Sequence, residues 1–485
     1  MGGASVLGLR PEALKDAGWA NRPVPPPLAG VQELSLTARV ATLPHGTGEA
    51  EFWTVEGQVP APILRFRRGD TARITLFNEL PESTILHWHG LDVPEAADGH
   101  PRLAIAPGER YEYAFEVIDR PGTYWYHPHT HERTAPQTYR GMAGFLIIED
   151  DEEEALGIPT GAYDLPLLLQ DKRIGPGGGP EYQPAMGPDL MLGYLGDTPY
   201  VNGTPGGAVE VRRARYRLRL LNGSNARIFD LGLVDGGPFT LIGADGGLRS
   251  QAEPVDRVML ATGERADVLV DFSRFAPGQR ITLRSHAFTV PGMMGMAGGP
   301  GMGMGMGRGG MGRGMRGGFQ GLPQGTEMDL VDFVVGSGPA EDAPPLANRL
   351  SEVAAPTVDP DAPRRTFRFE SMMMQHAING RSFVMDRVDV RVPLGRQEVW
   401  ELVNDSGLPH PVHVHAGQFR VLSRSGGRNR VMPWETGHKD TVLVLPGERV
   451  EIAVRFDRNP GLYLLHCHNL EHEDAGMMMN FLVEE

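Results

Sequence analysis

The sequence predicts an all-β protein made of three copies of one unit, each a β-sandwich or β-barrel. Short runs of alternating apolar and polar residues support this fold class, for example 72–77, 216–221 and 450–456. Pro-Gly and Asn-Gly pairs separate such runs, as expected for turns between strands, and helical periodicity is scarce. The third observation is that one residue pattern recurs three times along the 485-residue chain.

The repeat is clearest between the first and last copies. Segments 107–110 and 446–449 both read Pro-Gly-Glu-Arg, and in each copy a histidine stands twenty residues after the first proline. Asn78 and Asn404 each precede another histidine by nine residues. Units of this size built from alternating strands are typical of β-sandwiches and barrels.

A third, degenerate copy lies between these two. Residues 263–265 repeat the Gly-Glu-Arg turn, and Asn222 repeats the asparagine. Where the other copies carry histidine, this copy carries Leu231, Leu233, Leu283 and Ser285. We therefore expect the middle copy to keep the strands and to supply no metal ligands.

The three copies predict three domains, with boundaries at 30–150, 160–336 and 363–485. A chain of 485 residues is long enough for two to four domains with filled cores. Linkers are expected near 151–160, which begins in an acidic run, and near 336–362, which is rich in proline and alanine.

Charge and hydropathy exclude several classes of protein. The formal net charge of -15 argues against a role in nucleic-acid binding. No apolar run reaches about 18 residues, so no membrane-spanning helix is expected. Residues 1–30 lack the charged-then-apolar pattern of an export signal.

The single cysteine, Cys467, is the most informative residue of the chain. It has no partner for an intramolecular disulfide, and it stands between His466 and His468, shortly before His472 and Met477. A thiolate, an imidazole and a thioether are ligands of blue-copper sites, which need one further histidine. Successive side chains of a strand face opposite ways, so the two flanking histidines can bind other metal ions behind the sulfur.

Eleven of the sixteen histidines lie in four short windows, 87–89, 127–131, 410–415 and 466–472. Each window contains His-x-His, which on a strand places both rings on one face with Cα atoms ~7 Å apart. His410 points away from His413 and His415, so it is the candidate second histidine beside Cys467. The histidines that remain for a three-copper cluster are His87, His89, His127, His129, His413, His415, His466 and His468.

Four motifs resemble the copper motifs of the three-domain multicopper oxidases. They are HWHG at 87–90, YHPH at 126–129, HPVHVH at 410–415 and HCHNLEHEDAGM at 466–477. They follow the order of that family, and the domain repeat extends the resemblance over nearly the whole chain. The bacterial laccases and copper-efflux (cuprous) oxidases are the most similar subgroup. The resemblance implies three cupredoxin-like Greek-key β-sandwich or barrel domains.

The resemblance also implies a copper-dependent oxidoreductase with four copper ions per chain. Substrate would lose one electron at a time at a type 1 copper, and O₂ would take four electrons at a trinuclear cluster to give water. The implied type 1 ligands are His410, Cys467, His472 and the axial Met477. The implied type 2 ligands are His87 and His413. The implied ligands of the two type 3 ions are His89, His127 and His468 for one, and His129, His415 and His466 for the other.

Reduction of O₂ to water consumes protons, so carboxyl groups are expected near the cluster. Asp98 stands eleven residues after His87, and Glu473 follows His472 directly. By resemblance, Asp98 is the acid near the type 2 copper and Glu473 the acid near the type 3 pair. The alternative is that both are ordinary loop or capping carboxylates.

Two positions depart from the family pattern. Ala416 follows the third motif where glycine is usual, and residues 438–442 read His-Lys-Asp-Thr-Val where the family has Trp-Lys-Asp-Thr-Val. We expect neither departure to touch a ligand. His131 is expected to lie behind the ligands or to be exposed. The isolated histidines, which carry no signal, are His45, His100, His286, His376 and His438.

Residues 293–315 contain eight methionines and eleven glycines. This composition cannot fill a core, so a flexible insertion late in the second domain is expected. Thioethers bind Cu(I) and carry no proton to compete with it, which favours a role in copper delivery. The alternative is a low-complexity loop with incidental methionines. Residues 372–374 and 478–479 are further methionine runs, for which core packing is an equally good explanation.

These observations predict an O₂-reducing enzyme whose substrates include Cu(I), with laccase-like activity on phenols and aromatic amines. The alternative within this class is a general laccase in which the methionine tract forms a lid. A copper-sequestering binding protein is disfavoured because no ligand is missing, and a copper nitrite reductase because it needs no eight-histidine cluster. The expected partners are O₂ and these reductants. A monomer is expected, located in the periplasm or outside the cell as the family implies.

Overall fold

The computed structural model describes residues 30–185, 187–291, 321–372 and 375–485. In these ranges the chain forms thirty β-strands and four short α-helices. The strands make six sheets, which group along the chain into three pairs, so the predicted all-β fold class is confirmed. None of the helices in these ranges is long and apolar enough to cross a membrane. The methionine tract 293–315 and Met373–Met374 lie outside the described residues.

The first pair of sheets is formed by residues 31–149. Its elements in chain order are β1 (Val31–His45), β2 (Gly48–Val55), β3 (Ala61–Arg67), β4 (Thr71–Glu79), β5 (Leu86–His89), β6 (Arg110–Glu116), β7 (Gly122–Pro128), α1 (Thr134–Tyr139) and β8 (Gly144–Glu149). One sheet has the strand order β2-β1-β4-β6 and the other the order β3-β8-β7-β5.

The second pair is formed by residues 164–335 and follows a short helix. The elements are α2 (Asp151–Glu154), β9 (Asp164–Lys172), α3 (Pro188–Leu192), β10 (Thr198–Val201), β11 (Thr204–Pro205), β12 (Gly207–Val211), β13 (Arg215–Asn222), β14 (Phe229–Val234), β15 (Phe239–Ala244), β16 (Gly247–Val255), β17 (Val258–Leu260), β18 (Arg265–Asp271), β19 (Arg280–Ser285) and β20 (Met328–Val335). The sheet orders are β11-β10-β9-β13-β18-β15-β16 and β12-β20-β19-β14-β17.

The third pair is formed by residues 364–484. The elements are β21 (Arg364–Met372), β22 (Gln375–Ile378), β23 (Val388–Pro393), β24 (Gln397–Asn404), β25 (His410–Val414), β26 (Phe419–Ser425), β27 (Thr441–Val444), β28 (Arg449–Arg455), β29 (Gly461–Cys467), α4 (Leu470–Asp474) and β30 (Met478–Glu484). The sheet orders are β22-β21-β24-β28-β26 and β23-β30-β29-β25-β27. Single-turn 3-10 helices occupy Glu95–Ala97, Pro101–Leu103, Gly161–Tyr163, Phe272–Arg274 and Pro433–Glu435.

All three pairs of sheets share one connection pattern. In each pair the first strand lies parallel to a later strand of its sheet, β1 to β4, β9 to β13 and β21 to β24. A second parallel pair lies in the facing sheet, β3 with β8, β12 with β20 and β23 with β30. The sequence repeat is therefore a structural repeat. The domain boundaries at 30–150, 160–336 and 363–485 are consistent with this grouping and stay a prediction.

The repeated asparagine makes the same set of hydrogen bonds in each copy. In the middle copy, the Asn222 side-chain amide donates to the carbonyls of Arg227 and Leu260 at 2.7 and 2.9 Å. Its side-chain oxygen accepts the N–H of Ser224, and its backbone carbonyl accepts the N–H of Gly263. Asn78 and Asn404 make the equivalent bonds in the outer copies. This asparagine thus joins the end of one strand to the turn that begins the next.

At the positions where the outer copies carry histidines, the middle copy carries three leucines and a serine, all of them buried. Leu231 and Leu283 are fully buried, and Leu233 and Ser285 are nearly so. Strands β14 and β19 pair here, with Leu231 opposite Ser285 and Leu233 opposite Leu283. Among the described residues, no group of metal-binding side chains includes a residue of this pair of sheets.

The structure also bears on the linker expected near 151–160 and on the methionine run 478–479. The acidic segment after β8 is not an open linker, because it forms α2 and its Glu153 side chain is buried in an ion pair with Arg217. Met478 and Met479 are buried among apolar side chains of the third pair, including Leu464 and Phe481, which supports the core-packing explanation for these two residues.

Replacement of Asn222 by alanine should destabilise the protein by at least about 2 kcal/mol, because it leaves two buried carbonyls and one buried N–H without partners. The measurement is the shift of the denaturant midpoint or of the melting temperature. Asn348→Ala, at an exposed asparagine, is the control and should have almost no effect. Equal shifts for the two variants would contradict the structural role of this hydrogen-bonded asparagine.

Candidate metal centres

Four groups of metal-binding side chains are buried: three join residues of the first and third pairs of sheets, and the fourth lies within the third pair. The groups are His87, His89 and His413; His89, His127 and His468; His129, His415 and His466; and His410, Cys467 and His472. In each group the three ligand atoms lie within 4.8 Å of one another. A fifth group joins Asp98 to His87 and His415. All ten histidines and the cysteine that the sequence singled out therefore come together.

The strand register explains this convergence. In the first unit β5 pairs with β7, which places His87 opposite His127. In the third unit β25 pairs with β29, which places His413 opposite His466 and Val412 opposite Cys467. Since neighbouring residues on a strand face opposite ways, the sulfur lies on one face of β29 and the histidines on the other.

His87 and His413 form the smallest set of converging imidazoles. Their Nε2 atoms are 3.3 Å apart. Each ring donates its Nδ1–H to a backbone carbonyl, from His87 to Asp98 at 2.6 Å and from His413 to Asp440 at 2.9 Å. These bonds assign the proton to Nδ1, so two Nε2 lone pairs face one another and neither has a hydrogen to offer. A cation between them would satisfy both atoms.

A second set consists of His89, His127 and His468. The Nδ1 atom of His89 is 3.3 Å from Nε2 of His127. The far nitrogens are bonded elsewhere, Nε2 of His89 to Asp440 at 3.0 Å and Nδ1 of His127 to the carbonyl of Pro128 at 2.8 Å. Both ring nitrogens of His468 are buried and make no hydrogen bond with the described residues. Buried polar atoms are normally bonded, so a missing partner is indicated.

The third set consists of His129, His415 and His466. The Nε2 atom of His466 lies 3.3 Å from that of His129 and 3.1 Å from that of His415. The far nitrogen of His415 contacts Asp98 Oδ2 at 2.8 Å, and that of His466 contacts the carbonyl of Cys467 at 3.2 Å. Near nitrogens that converge and far nitrogens held by oxygen atoms are the usual arrangement of histidine ligands.

Burial favours the neutral form of five of these imidazoles. Loss of hydration lowers the pKa of His127 to about 4 and that of His129 to about 3. The pKa values of His87, His413 and His468 lie well below the usual value, because burial and the neighbouring histidines both oppose a charge. Neutral imidazole is the form that binds metal ions, so the site is protonated correctly for ligation.

In the cysteine group, two imidazoles face a sulfur atom with their near nitrogens, and their far nitrogens contact oxygen atoms. Cys467 Sγ lies 3.4 Å from His410 Nδ1 and 3.6 Å from His472 Nδ1. The far Nε2 atoms contact Ser406 Oγ at 2.8 Å and the carbonyl of Met191 at 2.9 Å. Burial raises the pKa of the Cys467 thiol, so a thiolate in this position needs a compensating cation.

Met477 belongs to the same buried cluster of side chains as Cys467. Its side chain is fully buried, and its backbone carbonyl accepts the N–H of Cys467 at 3.0 Å. The structure therefore places the proposed axial residue in the same buried cluster as the cysteine, joined to it by a backbone hydrogen bond.

The two candidate acids contact different sets of histidines. Asp98 Oδ1 lies 3.6 Å from His87 Nδ1, and burial raises the pKa of this carboxyl well above its usual range. Glu473 Oε2 lies 3.2 Å from His466 Nδ1. Burial alone would raise the pKa of Glu473, but its electrostatic interactions with His129 and His466 outweigh burial and lower it. The chain thus places beside the histidines two buried carboxyl groups whose pKa values are shifted in opposite directions.

The segment 438–442 contacts a candidate ligand through residues that follow the family pattern. Asp440 Oδ1 and Thr441 Oγ1 accept from His89 Nε2 at 3.0 and 3.1 Å. The residue that departs from the pattern is His438, and the expectation that this departure touches no ligand stays a prediction. Arg265 of the middle copy holds Asp440 with two bonds of 2.7 and 2.6 Å. Lys439 pairs with Asp245 and Glu264, also from the middle copy. A segment without histidine ligands thereby fixes a ligand in place.

The isolated histidines differ in their surroundings. His131 is 37 % exposed at its side chain, as expected. His100 and His45 are buried and bonded to Asn480 and Tyr200. His376, in contrast, stacks on the cysteine-group ligand His472 with ring centroids 4.1 Å apart. Its sequence context gave no sign of this contact, because it has no histidine within reach at a strand spacing.

A glycine of the middle copy allows two ligands to meet. Gly263 has φ +83°, and a Cβ atom there would lie 3.0 Å from His468 Cδ2 and 3.1 Å from His89 Cε1. Gly108, its counterpart in the first copy, has the same φ of +83° and open space around it. Glycine at 263 therefore serves two purposes. It permits the positive φ of the turn, and it leaves space for the rings of His89 and His468.

Gly263→Ala should lower the number of copper ions bound per chain, because the added methyl group displaces His89 or His468. Gly108→Ala is the matched control, since it carries the same backbone strain without the close approach. The measurement is copper per chain by elemental analysis after loading and dialysis. If both variants bind as much copper as the unmodified protein, the glycine has no part in the site.

Comparison with known proteins agrees with this arrangement. Three family models, each described as "Multicopper oxidase", match residues 37–153, 190–283 and 356–485. Together they cover more than half of the chain and include the four histidine windows.

Individual relatives are similar over nearly the full length. A multicopper oxidase from Staphylococcus haemolyticus is 32% identical over 450 residues, which is 90% of this chain and 87% of the relative. A laccase from Haloferax volcanii is 33% identical over 94% of this chain and 82% of its own length. The crystal structure of the McoA multicopper oxidase from Aquifex aeolicus superposes with a TM-score of 0.81 at 34% identity, over 94% of this chain and 98% of that one. The chain therefore belongs to the multicopper oxidase family and is a copper-dependent oxidoreductase that uses O₂.

Proposed function

We propose that the chain holds four copper ions in these groups and oxidises Cu(I), together with phenols and aromatic amines. The observation that carries this proposal is the convergence of ten buried imidazoles and one thiol into sets of two and three. His410, Cys467, His472 and Met477 would hold the type 1 ion, and His87 with His413 the type 2 ion. The type 3 ions would be held by His89, His127 and His468, and by His129, His415 and His466.

Copper in these positions supplies one-electron oxidation of substrate and four-electron reduction of O₂ to water. The chain supplies the connection between the two places. Cys467 is bonded covalently to His466 on one side and to His468 on the other, and each belongs to a different set of three imidazoles. An electron that enters at the sulfur therefore has a path of a few covalent bonds to both sets.

The two acids would handle the protons that O₂ reduction consumes. Asp98 contacts His415 with Oδ2, while Oδ1 makes no hydrogen bond with the described residues. A buried, protonated carboxyl with a free oxygen can deliver a proton to a neighbouring group. Glu473 lies on the opposite side, against His129 and His466, where its ionised form can receive a proton.

The substrate part of the proposal rests on composition and on likeness to relatives. Eight methionines in 293–315 offer many neutral, soft ligands, which suits Cu(I). The Haloferax volcanii relative is named a laccase, which supports organic substrates as well. A general laccase with the tract as a lid is the second candidate. Copper sequestration without turnover is less well supported, since every candidate ligand is present.

We also propose that the protein works as a monomer in the periplasm or outside the cell. This part of the proposal follows the family resemblance. Fractionation of cells that produce the full-length gene product, with activity measured in each fraction, is the direct test of location.

Asp98→Asn and Glu473→Gln should each slow O₂ consumption by about 100-fold at full copper loading, the size of effect usual for a lost proton donor or acceptor. The measurement is O₂ uptake with an organic reductant, with copper per chain determined on the same samples. Glu132→Gln is the control, because Glu132 is an exposed carboxylate near the His129 window. Unchanged turnover in both acid variants would leave the two residues as ordinary structural carboxylates.

The role of the methionine tract can be separated from its length. A variant with the eight methionines of 293–315 changed to serine should lose Cu(I) oxidation and keep methoxyphenol oxidation, because the thioether ligands are gone and the chain length is kept. A 293–315 deletion should behave in the same way toward Cu(I). O₂ uptake with each reductant is the measurement. If the serine variant oxidises Cu(I) normally and only the deletion alters activity, the tract acts as a lid and the general laccase is the better description.

A further inference from the structure

The short helix α3 of the middle unit ends against the cysteine group. Its last three carbonyls all accept hydrogen bonds from residues of the third unit. Leu190 accepts from His376 Nε2 at 3.0 Å, Met191 from His472 Nε2 at 2.9 Å, and Leu192 from the Asn469 side chain at 3.4 Å. The last carbonyls of a helix have no partner within the helix, and here ring and amide N–H groups satisfy them.

The bond from His472 has a direct consequence for its ring. Because Nε2–H donates to the Met191 carbonyl, the lone pair lies on Nδ1, which faces Cys467 Sγ at 3.6 Å. An acceptor on the far nitrogen fixes the orientation of a ligand histidine and increases its basicity. The single Nε2 hydrogen is thereby committed to the helix, and His472 has no exposed surface.

His376 extends this arrangement by one ring. It lies face to face with His472, at an interplanar angle of 24°, and its Nδ1 contacts Ser371 Oγ at 2.8 Å. Ser371 and His376 are directly opposed on β21 and β22. Two stacked imidazoles therefore donate to two consecutive carbonyls of α3, and the hairpin β21–β22 holds the outer ring.

Helix α3 is anchored at both ends, away from the histidines. At its start, buried Asp189 accepts from Arg173 Nη1 and Nη2 at 2.9 and 2.6 Å and from the N–H of Ala185 at 2.7 Å. The Arg173 guanidinium in turn lies 3.9 Å from the ring centre of Tyr194. After its end, the N–H of Tyr194 donates to Glu471 Oε2 at 2.9 Å. The helix is thus fixed at both ends to buried groups.

We propose that α3 is the specificity-determining element of the type 1 site and that His376 is a positioning residue for His472. The helix occupies the Nε2 edge of His472, so an organic reductant cannot place a hydroxyl or amine against that nitrogen. Reductants instead approach the outer side of α3, where Leu190 and Met191 are half-buried. This inference rests on the proposed function, in that it takes His472 as a type 1 ligand, and it predicts that metal ions are better reductants than phenols for this protein.

The test loosens the helix without changing a ligand. Asp189→Asn removes the charge that holds Arg173, and His376→Phe keeps a stacked ring but removes the donor to Leu190. In the copper-loaded protein, Asp189→Asn should raise kcat/KM for a methoxyphenol about tenfold, a usual size for a change behind a metal ligand. The value for Cu(I) should rise much less. The type 1 midpoint potential should also rise, because His472 loses its acceptor and donates less strongly to the oxidised metal.

Glu398→Gln is the matched control, because Glu398 is a fully buried carboxylate that binds Arg365 at 2.6 and 2.7 Å. It should change neither the ratio of kcat/KM for the methoxyphenol to kcat/KM for Cu(I) nor the type 1 midpoint potential. His376→Phe should shift both in the same direction as Asp189→Asn, and it keeps the test open if Asp189→Asn does not fold. The proposal is overturned if the folded variants keep the wild-type substrate ratio and potential.

The same samples separate this proposal from the proposed function. A copper-loaded wild-type protein without the blue absorption of a type 1 site would overturn the ligand assignment, and the role of α3 with it. A blue wild-type protein that fails to oxidise Cu(I) would overturn the substrate assignment alone, and the potentials of the variants would still decide the role of α3.

Discussion

The metal centres depend on the burial of imidazoles, most of which have their far nitrogen atom held by a fixed oxygen atom. Without those oxygen atoms, burial would leave each ring free to turn or to exchange its tautomer. Backbone carbonyls perform this task for His87, His413 and His472, and carboxylates perform it for His89 and His415. Since a backbone carbonyl moves only with its strand or helix, the strand register and the docking of the units set the geometry of the site.

The middle unit contributes to the site although it supplies no ligand. Arg265 fixes Asp440, which orients His89, and Gly263 leaves the space in which His89 and His468 meet. Helix α3 reaches the opposite side of the active region and orients His472. The unit without histidine ligands thus holds segments of the ligand-bearing third unit in place. Its buried charges are paired, as removal of a charge from water requires.

The fold class and the side chains that converge in the candidate metal centres could be predicted from the sequence, because both depend on short-range spacing. His-x-His on a strand, the Pro-Gly-Glu-Arg turn and the position of Cys467 each occupy only a few residues. The contacts that were missed join distant segments. His376, Met191 and His472 meet across the chain, and no periodicity marks His376 or the carbonyl of Met191. Asp440 stands in a recognisable motif, but only the docking of β27 and β5 shows that it touches His89.

The pairing of His87 with His413 has a consequence for the order of events during biosynthesis. The two residues are 326 positions apart, and His129 and His466 are 337 apart. Closing such long loops costs entropy before any contact is gained, so we expect the sheets to form before these histidines meet. On this basis metal uptake is expected to follow folding, in contrast to small zinc modules that fold around their ion.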